Sequence, residues 1–233
     1  MTRSSSKSAG RTVVDYVAET IKTGILEGRY ALGQRLVEAD LTKELNVSRG
    51  PLREALRRLA AYGIVEIQPY RGAAVRRPSR TELSDLLRVL EVVEGLSARM
   101  AAERIKLPGN YDRAQALRGE IDAAEALVDA IDYVEDNERF HGTILDLSGN
   151  HSLQRVAVQL QLQMPTQRLT FFRLFRENRH HSLMQHADIL DAIIAGNPDR
   201  AEAAMRAHVR ATEELSRKMS DVLFSNENRH GPE

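Results

Sequence analysis

The sequence predicts a mainly α-helical protein of two domains: three short helices with a β-hairpin, then an all-α bundle of six to seven helices. Apolar residues recur with a helical period along most of the 233 residues. Two short apolar runs between residues 64 and 75 instead predict a pair of strands. Charge is divided as well: residues 1–80 carry a net charge of +7 and residues 81–233 a net charge of −7. The basic part can therefore bind a polyanion that the acidic part would repel.

Composition excludes several classes of protein. The chain has no cysteine, which rules out disulfides and thiolate metal sites and is typical of a reducing compartment. No apolar run approaches the roughly 20 residues needed to span a bilayer. The polar, serine-rich residues 1–10 lack the apolar segment of a secretory signal. We therefore expect a soluble cytoplasmic protein, with disordered tails at residues 1–11 and 225–233.

The basic domain is predicted to span residues 12–77. Helices are expected at about 12–26, 37–45 and 48–62, with a turn at 30–36. The runs 64–67 and 72–75 are expected to pair as a hairpin whose tip carries Arg71. Three helices followed by a hairpin form a winged helix-turn-helix, in which the third helix enters the major groove of DNA and the wing contacts the backbone or minor groove.

The third predicted helix has two faces. Ser48 is a favourable N-cap, and Pro51 falls in the first turn, where it is tolerated. An apolar stripe follows at positions i, i+3, i+4 and i+7, formed by Leu52, Ala55, Leu56 and Leu59. Arg49, Arg53 and Arg57, four residues apart, form a second stripe that can reach bases or phosphates. A surface helix whose arginines are only solvated is the alternative.

Residues 12–77 resemble the winged-helix domain of the GntR family of bacterial transcription regulators. The matching segments are Gly33-Gln34-Arg35-Leu36, Val47-Ser48-Arg49, Pro51 to Leu56, Leu59, Gly63 and Arg71-Gly72. The resemblance implies the following residues as DNA contacts: Arg35, Ser48, Arg49, Arg53, Arg71 and Gly72. Many members have threonine where this chain has Gly50, so Gly50 is not included.

Residues 78–80 are predicted to be a linker and residues 81–224 an all-helical domain. Its helices are expected at about 81–105, 111–130, 133–147, 152–175, 181–195 and 199–224. Pro78 favours a helix boundary, Ser79 or Thr81 can cap the first helix, and Asp132 can cap the third. The fourth should bend near Pro165.

Three histidines of this domain lie on three different predicted helices. His141 follows Asn137 by one turn, so the two side chains share a face. His186 precedes an apolar stretch, and His208 has apolar neighbours on its helix. Imidazoles that converge from different helices can bind a divalent metal. The alternative for each is a partly buried histidine that hydrogen-bonds to the protein.

Residues 81–224 resemble the FCD ligand-binding domain of the FadR subfamily of GntR regulators. The resemblance implies a divalent metal, zinc first and nickel or manganese next, held by Asn137, His141, His186 and His208. Asn137 stands where many members have aspartate, and Gln185 stands where glutamate is usual. The Arg-x-x-Glu motif corresponds to Arg88 and Glu91. We hypothesise that Arg88 and the metal hold the carboxylate of an effector; a salt bridge from Arg88 to an acidic neighbour is the alternative.

Together these features predict a transcription repressor. A homodimer would bind a palindromic operator in double-stranded DNA, and a small organic-acid or sugar-acid effector would control it. A metal-free bundle that binds a larger acyl ligand is the alternative among regulators. A metal-dependent hydrolase or lyase is a third possibility, but no second carboxylate or base is placed by spacing to act with the metal. We therefore do not expect an enzyme, and no membrane partner is expected.

Overall fold

The computed structural model describes residues 12–68, 70–123, 130–161, 176–218, 220–221 and 224–225. The chain divides between Arg76 and Arg77 into two compact units. Among the described residues, no helix is both long enough and apolar enough to cross a membrane.

The first unit is a winged helix-turn-helix. Its helices are α1 (Val13–Leu26), α2 (Glu38–Glu44) and α3 (Arg49–Ala61), and its strands are β1 (Arg35–Leu36), β2 (Val65–Gln68) and β3 (Gly72–Val75). The strands form one antiparallel sheet in the order β1-β3-β2. The predicted turn at 30–36 therefore ends in a strand that was not expected, because its pairing partner lies far along the chain and two residues show no alternation.

Local sequence explains where the helices of this unit begin. Thr12 and Asp15 form a capping box at the start of α1, and these hydrogen bonds lower the pKa of Asp15 to about 2. Ser48 occupies the N-cap of α3 with an extended backbone, as predicted, but its hydroxyl makes no capping hydrogen bond. The apolar stripe of α3 is buried throughout, which confirms the face predicted to hold the helix on its domain.

The second unit is a bundle of helices. Its described helices are α4 (Arg80–Glu103), α5 (Asn110–Ala123), α6 (Ala130–Ser148), α7 (His151–Gln161), α8 (Arg176–Ile194) and α9 (Pro198–Arg217). Its largest apolar cluster collects buried residues from α4, α5, α6, α8 and α9, and two smaller clusters lie beside α4. Helix α4 packs along α9, where Gly95 allows close approach because an added Cβ would lie 2.7 Å from Arg206 Cγ.

Several predicted boundaries shift. Ser79 caps α4 through a capping box with Glu82, as one of the two predicted options. The predicted cap at Asp132 is wrong, because α6 already begins at Ala130. Helix α8 begins at Arg176, five residues before the predicted start. The predicted bend at Pro165 lies outside the described residues.

Candidate metal centre and DNA-binding surface

The three predicted histidines meet inside the bundle. His141 comes from α6, His186 from α8 and His208 from α9, with exposed fractions of 5%, 1% and 6%. One ring nitrogen of each lies within 4.8 Å of the others. Three buried imidazoles from three helices are an arrangement that could hold a metal ion.

Hydrogen bonding orients two of these rings. Nε2 of His186 lies 3.3 Å from Nε2 of His208, and Nδ1 of His208 lies 3.0 Å from Oε1 of Gln185. If Nδ1–H of His208 donates to the Gln185 amide oxygen, its Nε2 keeps a lone pair directed at the cluster. Two nitrogens on a tetrahedral zinc ion are about 3.3 Å apart, given Zn–N bonds of about 2.0–2.1 Å. The His186–His208 spacing therefore suits a shared ion, and without an ion it suits an N–H···N hydrogen bond.

A buried carboxylate that the sequence reasoning missed completes this cluster. Glu94 on α4 is only 2% exposed, and its Oε2 lies 2.6 Å from Nδ1 of His141. With Nδ1 facing Glu94, Nε2 is the nitrogen left for a metal. Carboxylate–histidine–metal triads have this form.

The remaining sides of the cluster are apolar or amide. The ring of Phe140 stacks on His186 with 3.8 Å between centroids. Asn137 is buried, and it lines a narrow cleft together with His186, Phe140 and Leu183. The cleft has a volume of about 20 Å³, which admits about one water molecule. This cleft alone is too small for an organic acid.

Arg88 is not brought to the histidines. Its side chain is 65% exposed, and its nitrogens lie 3.9 Å from Asp85 and 3.7 Å from Glu213. It lines a different cavity, of about 310 Å³, with Arg80 and Phe224. Six residues separate Arg88 from Glu94, or about 9 Å along the axis of α4. This arrangement supports the alternative in which Arg88 forms an ion pair with an acidic neighbour. It gives no support to the hypothesis that Arg88 and the metal bind the same effector carboxylate.

The residues predicted to contact DNA all lie exposed in the first unit. On α3, Arg49 is exposed and Arg53 is 57% exposed, with Ser48 at the start of the helix. Arg35 lies on β1, which pairs with β3, so it shares the wing sheet with Gly72. Nothing lies within 4 Å of a Cβ added at Gly72, whose φ is +83°. Arginines on one helix, one strand and the wing thus give the unit its positive surface.

Comparison with known proteins gives the family. Residues 14–75 match the family described as bacterial regulatory proteins, gntR family, and residues 85–211 match the FCD domain. The chain belongs to the GntR family and carries an FCD domain. As a GntR regulator it binds DNA and controls transcription, and it is not an enzyme.

Curated relatives of this GntR regulator match along most of their length. A protein of Paenarthrobacter nicotinovorans named "Probable D-xylose utilization operon transcriptional repressor" is 28% identical over 91% of this chain and 92% of its own. The HTH-type transcriptional repressor RspR of Escherichia coli K12 is 26% identical over 94% of this chain and 95% of its own. The Nta operon transcriptional regulator of Aminobacter aminovorans is 29% identical over 76% and 81%.

Two solved structures share the fold of this GntR regulator. E. coli McbR/YncC superposes with a TM-score of 0.74 at 20% identity, covering 89% of this chain and 98% of that one. Lar, which controls expression of the Listeria monocytogenes agr system, superposes with a TM-score of 0.61 at 20% identity, covering 91% and 99%.

Proposed function

We propose that this regulator represses transcription from a palindromic operator. We further propose that a small carboxylate effector, bound at a metal ion in the FCD domain, controls its affinity for DNA. The observation that carries the proposal is the convergence of His141, His186 and His208 inside the bundle. Relatives named as transcriptional repressors support the sign of regulation.

The ligand set favours a divalent ion such as zinc, with nickel or manganese as alternatives. Imidazole nitrogens suit zinc and nickel, and the Asn137 amide oxygen adds a neutral donor. Three neutral imidazoles and an amide leave the +2 charge of the ion uncompensated, and the buried carboxylate of Glu94 offsets only one unit. The remaining positive charge would attract an anionic ligand, and a carboxylate oxygen would complete the coordination.

Organic acids and sugar acids are therefore the effector class that we propose. A carboxylate on a short chain supplies both the charge and the oxygen donor that this ligand set lacks. A relative is named for a D-xylose utilization operon, so sugar-derived acids are reasonable first ligands to test. A larger acyl ligand without metal involvement remains the competing idea, and the metal measurements below separate the two.

On the DNA side, α3 would enter the major groove. Arg49 and Arg53 would reach base edges or phosphates from its first two turns, and Ser48, whose hydroxyl does not cap the helix, would be free to bond a phosphate. Arg35 and the wing residues Arg71 and Gly72 would contact the backbone or the minor groove. Operator binding would take place in the bacterial cytoplasm.

A homodimer is proposed from an exposed apolar stripe on α4. Val89, Val92 and Leu96 lie at i, i+3 and i+7 and are 49%, 50% and 38% exposed. On α7, which packs against α4, Val156 is 48% exposed. A contiguous apolar stripe on a soluble domain commonly marks an interface, and a two-fold dimer would bury it against its own copy.

The metal proposal is tested on purified full-length protein by elemental analysis and by thermal shift on adding zinc, nickel or manganese. We expect about one equivalent of metal per chain and a raised melting temperature. His186→Ala should abolish both while leaving DNA binding intact, whereas His151→Ala, which changes an exposed histidine on α7, should alter neither. Metal below a tenth of an equivalent, with no thermal shift, would rule out the metal-centred site.

The dimer proposal is tested by light scattering after size-exclusion chromatography. Leu96→Asp should yield a monomer because it places a charge within the apolar stripe. Leu107→Asp, which changes a 52% exposed apolar residue outside α4, should leave the dimer intact. Equal masses for both variants would remove the stripe as the interface.

A further inference from the structure

An arginine on the recognition helix is held by a carboxylate from the neighbouring helix. Nε of Arg53 on α3 lies 3.0 Å from Oε1 and 2.9 Å from Oε2 of Glu38. Glu38 is the first residue of α2, so the contact joins the two helices of the helix-turn-helix. The carboxylate binds Nε, and it therefore leaves the two terminal amino groups of the guanidinium without this partner.

A contribution to the stability of the fold does not explain why Arg53 and Glu38 are paired. Arg53 is 57% exposed and Glu38 is 29% exposed, and ion pairs in such positions contribute little to the free energy of unfolding. The packing of α3 against its domain comes from its buried apolar stripe, which includes Leu52 and Leu56. A carboxylate on a surface that faces DNA also repels phosphates, so its presence there needs another reason.

The other arginines of α3 are held differently. Arg57 lies 3.6 Å from Glu54, a pairing within one helix in which both side chains are more than half exposed. Arg49 makes no ion pair with any residue in the part of the chain that the structure describes. Among these three arginines, Arg53 alone has its Nε within 3.0 Å of both oxygens of one carboxylate, so its guanidinium has the least freedom to rotate.

We propose that Glu38 is a positioning residue for DNA recognition: it fixes the guanidinium of Arg53 so that the terminal amino groups meet one base edge. The inference rests on the proposed placement of α3 in the major groove. A fixed guanidinium can donate two parallel hydrogen bonds to O6 and N7 of guanine, the commonest specific contact to a base. On DNA without this guanine, the terminal amino groups of Arg53 lose their acceptors, while the Glu38 carboxylate still repels the nearby phosphates. The loss of these acceptors raises the ratio of specific to non-specific affinity, whereas the repulsion lowers both affinities alike.

The test compares two neutralising substitutions that change the net charge of the same domain equally. Glu38→Gln removes the carboxylate that holds Arg53, and Glu54→Gln removes the one beside Arg57. The probes are a duplex selected by the wild-type protein from a randomised library and a shuffled duplex of equal length. Dissociation constants are measured for both by fluorescence anisotropy over a range of salt concentrations.

Glu38→Gln should tighten binding to the shuffled duplex and weaken binding to the selected one. One good bidentate contact discriminates against the wrong base by about 5- to 150-fold, so the specificity ratio should fall by roughly fivefold or more. Glu54→Gln should keep its ratio within about twofold of wild type, because less repulsion strengthens binding to both duplexes alike.

Two further variants distinguish a failure of the positioning role of Glu38 from a failure of the proposed placement of α3 in the major groove. Glu38→Asp keeps the negative charge at the start of α2 but shortens the side chain, so it should also lose specificity; a wild-type ratio would show that charge alone matters and would overturn the positioning role. Equal changes of ratio in Glu38→Gln and Glu54→Gln would overturn it too. Unchanged binding of Arg53→Ala to the selected duplex would instead refute the groove placement of α3.

Discussion

Replacing Glu94 with glutamine gives the most direct test of how the candidate metal site is built. The substitution is nearly isosteric and keeps an oxygen acceptor, but it removes the negative charge that lies 2.6 Å from Nδ1 of His141. Glu94 is 2% exposed, so water cannot replace that charge. The glutamine oxygen could still accept a hydrogen bond from Nδ1–H, whereas the electrostatic support for a metal-bound imidazole would be lost.

The expected loss of metal affinity follows from that geometry. Removing a group that hydrogen-bonds a metal-ligating histidine typically weakens metal binding about 10- to 100-fold, or roughly 1.4–2.7 kcal/mol. The acceptor oxygen that glutamine retains points to the lower half of that range. The loss of one of the few negative charges in a buried, low-dielectric site points to the upper half. We therefore expect a weakening of about 30-fold.

The assay is competition for zinc against a chelator of known affinity, with the wild type and variants measured side by side. Glu91→Gln is the matched control because Glu91 lies one turn earlier on α4 and pairs with Arg210 at 2.6 Å. Its zinc affinity should stay within about twofold of wild type. An equal loss in both variants would show a general effect of charge on α4, and no loss in Glu94→Gln would refute the support of His141 by Glu94.

Three other predictions concern single side chains. Asn137→Asp should tighten zinc binding about tenfold or more in the same competition assay, because it adds a negative charge at the position of a proposed ligand. Arg71→Ala should weaken binding to specific and non-specific duplexes alike and reduce the slope of log K against log salt by about one, as expected of a phosphate contact. Asp15→Asn should lower the melting temperature at pH 7. The pKa of Asp15 in the fold is about 2, below its usual 3.8, so this difference should shrink as the pH falls from about 4 to 2 in thermal melts.

The elements that the sequence predicts well are those determined by local pattern. The stripe formed by Leu52, Ala55, Leu56 and Leu59 has a helical period that any packing partner would bury, and it is buried. The hairpin strands follow from short apolar runs with a turn between them. Strand β1 could not be predicted from local pattern, because its residues pair with Ala73 and Ala74, far along the chain.

The candidate site depends on packing between helices, which spacing in the sequence does not reveal. Glu91 and Glu94 are one turn apart on α4 and look alike in the sequence. In the fold, Glu91 meets arginines of α9 and Glu94 meets His141 of α6. Burial among apolar neighbours at 90, 98 and 101 is the signal that could have separated them, since Glu94 shares their helical face. Arg88 is a similar case, because it lies beside Glu213 and not beside the histidines: a motif within one helix does not say which side of that helix meets the site.

Helix α4 belongs to both the candidate metal centre and the proposed dimer interface. Glu94 points into the bundle, whereas Val92 and Leu96 are each about 200° away around the helix, on its exposed side. A ligand that moves α4 at Glu94 therefore moves the stripe that the second copy would cover.

If the dimer and the ligand are coupled in this way, the coupling must be reciprocal. Zinc should change the dimer dissociation constant by some factor, and the monomeric Leu96→Asp variant should bind zinc with an affinity that differs from that of the dimer by a corresponding factor. Sedimentation equilibrium with and without zinc measures the first quantity and chelator competition the second. A zinc-independent dimer constant, together with wild-type zinc affinity in Leu96→Asp, would exclude α4 as the element that connects the two sites.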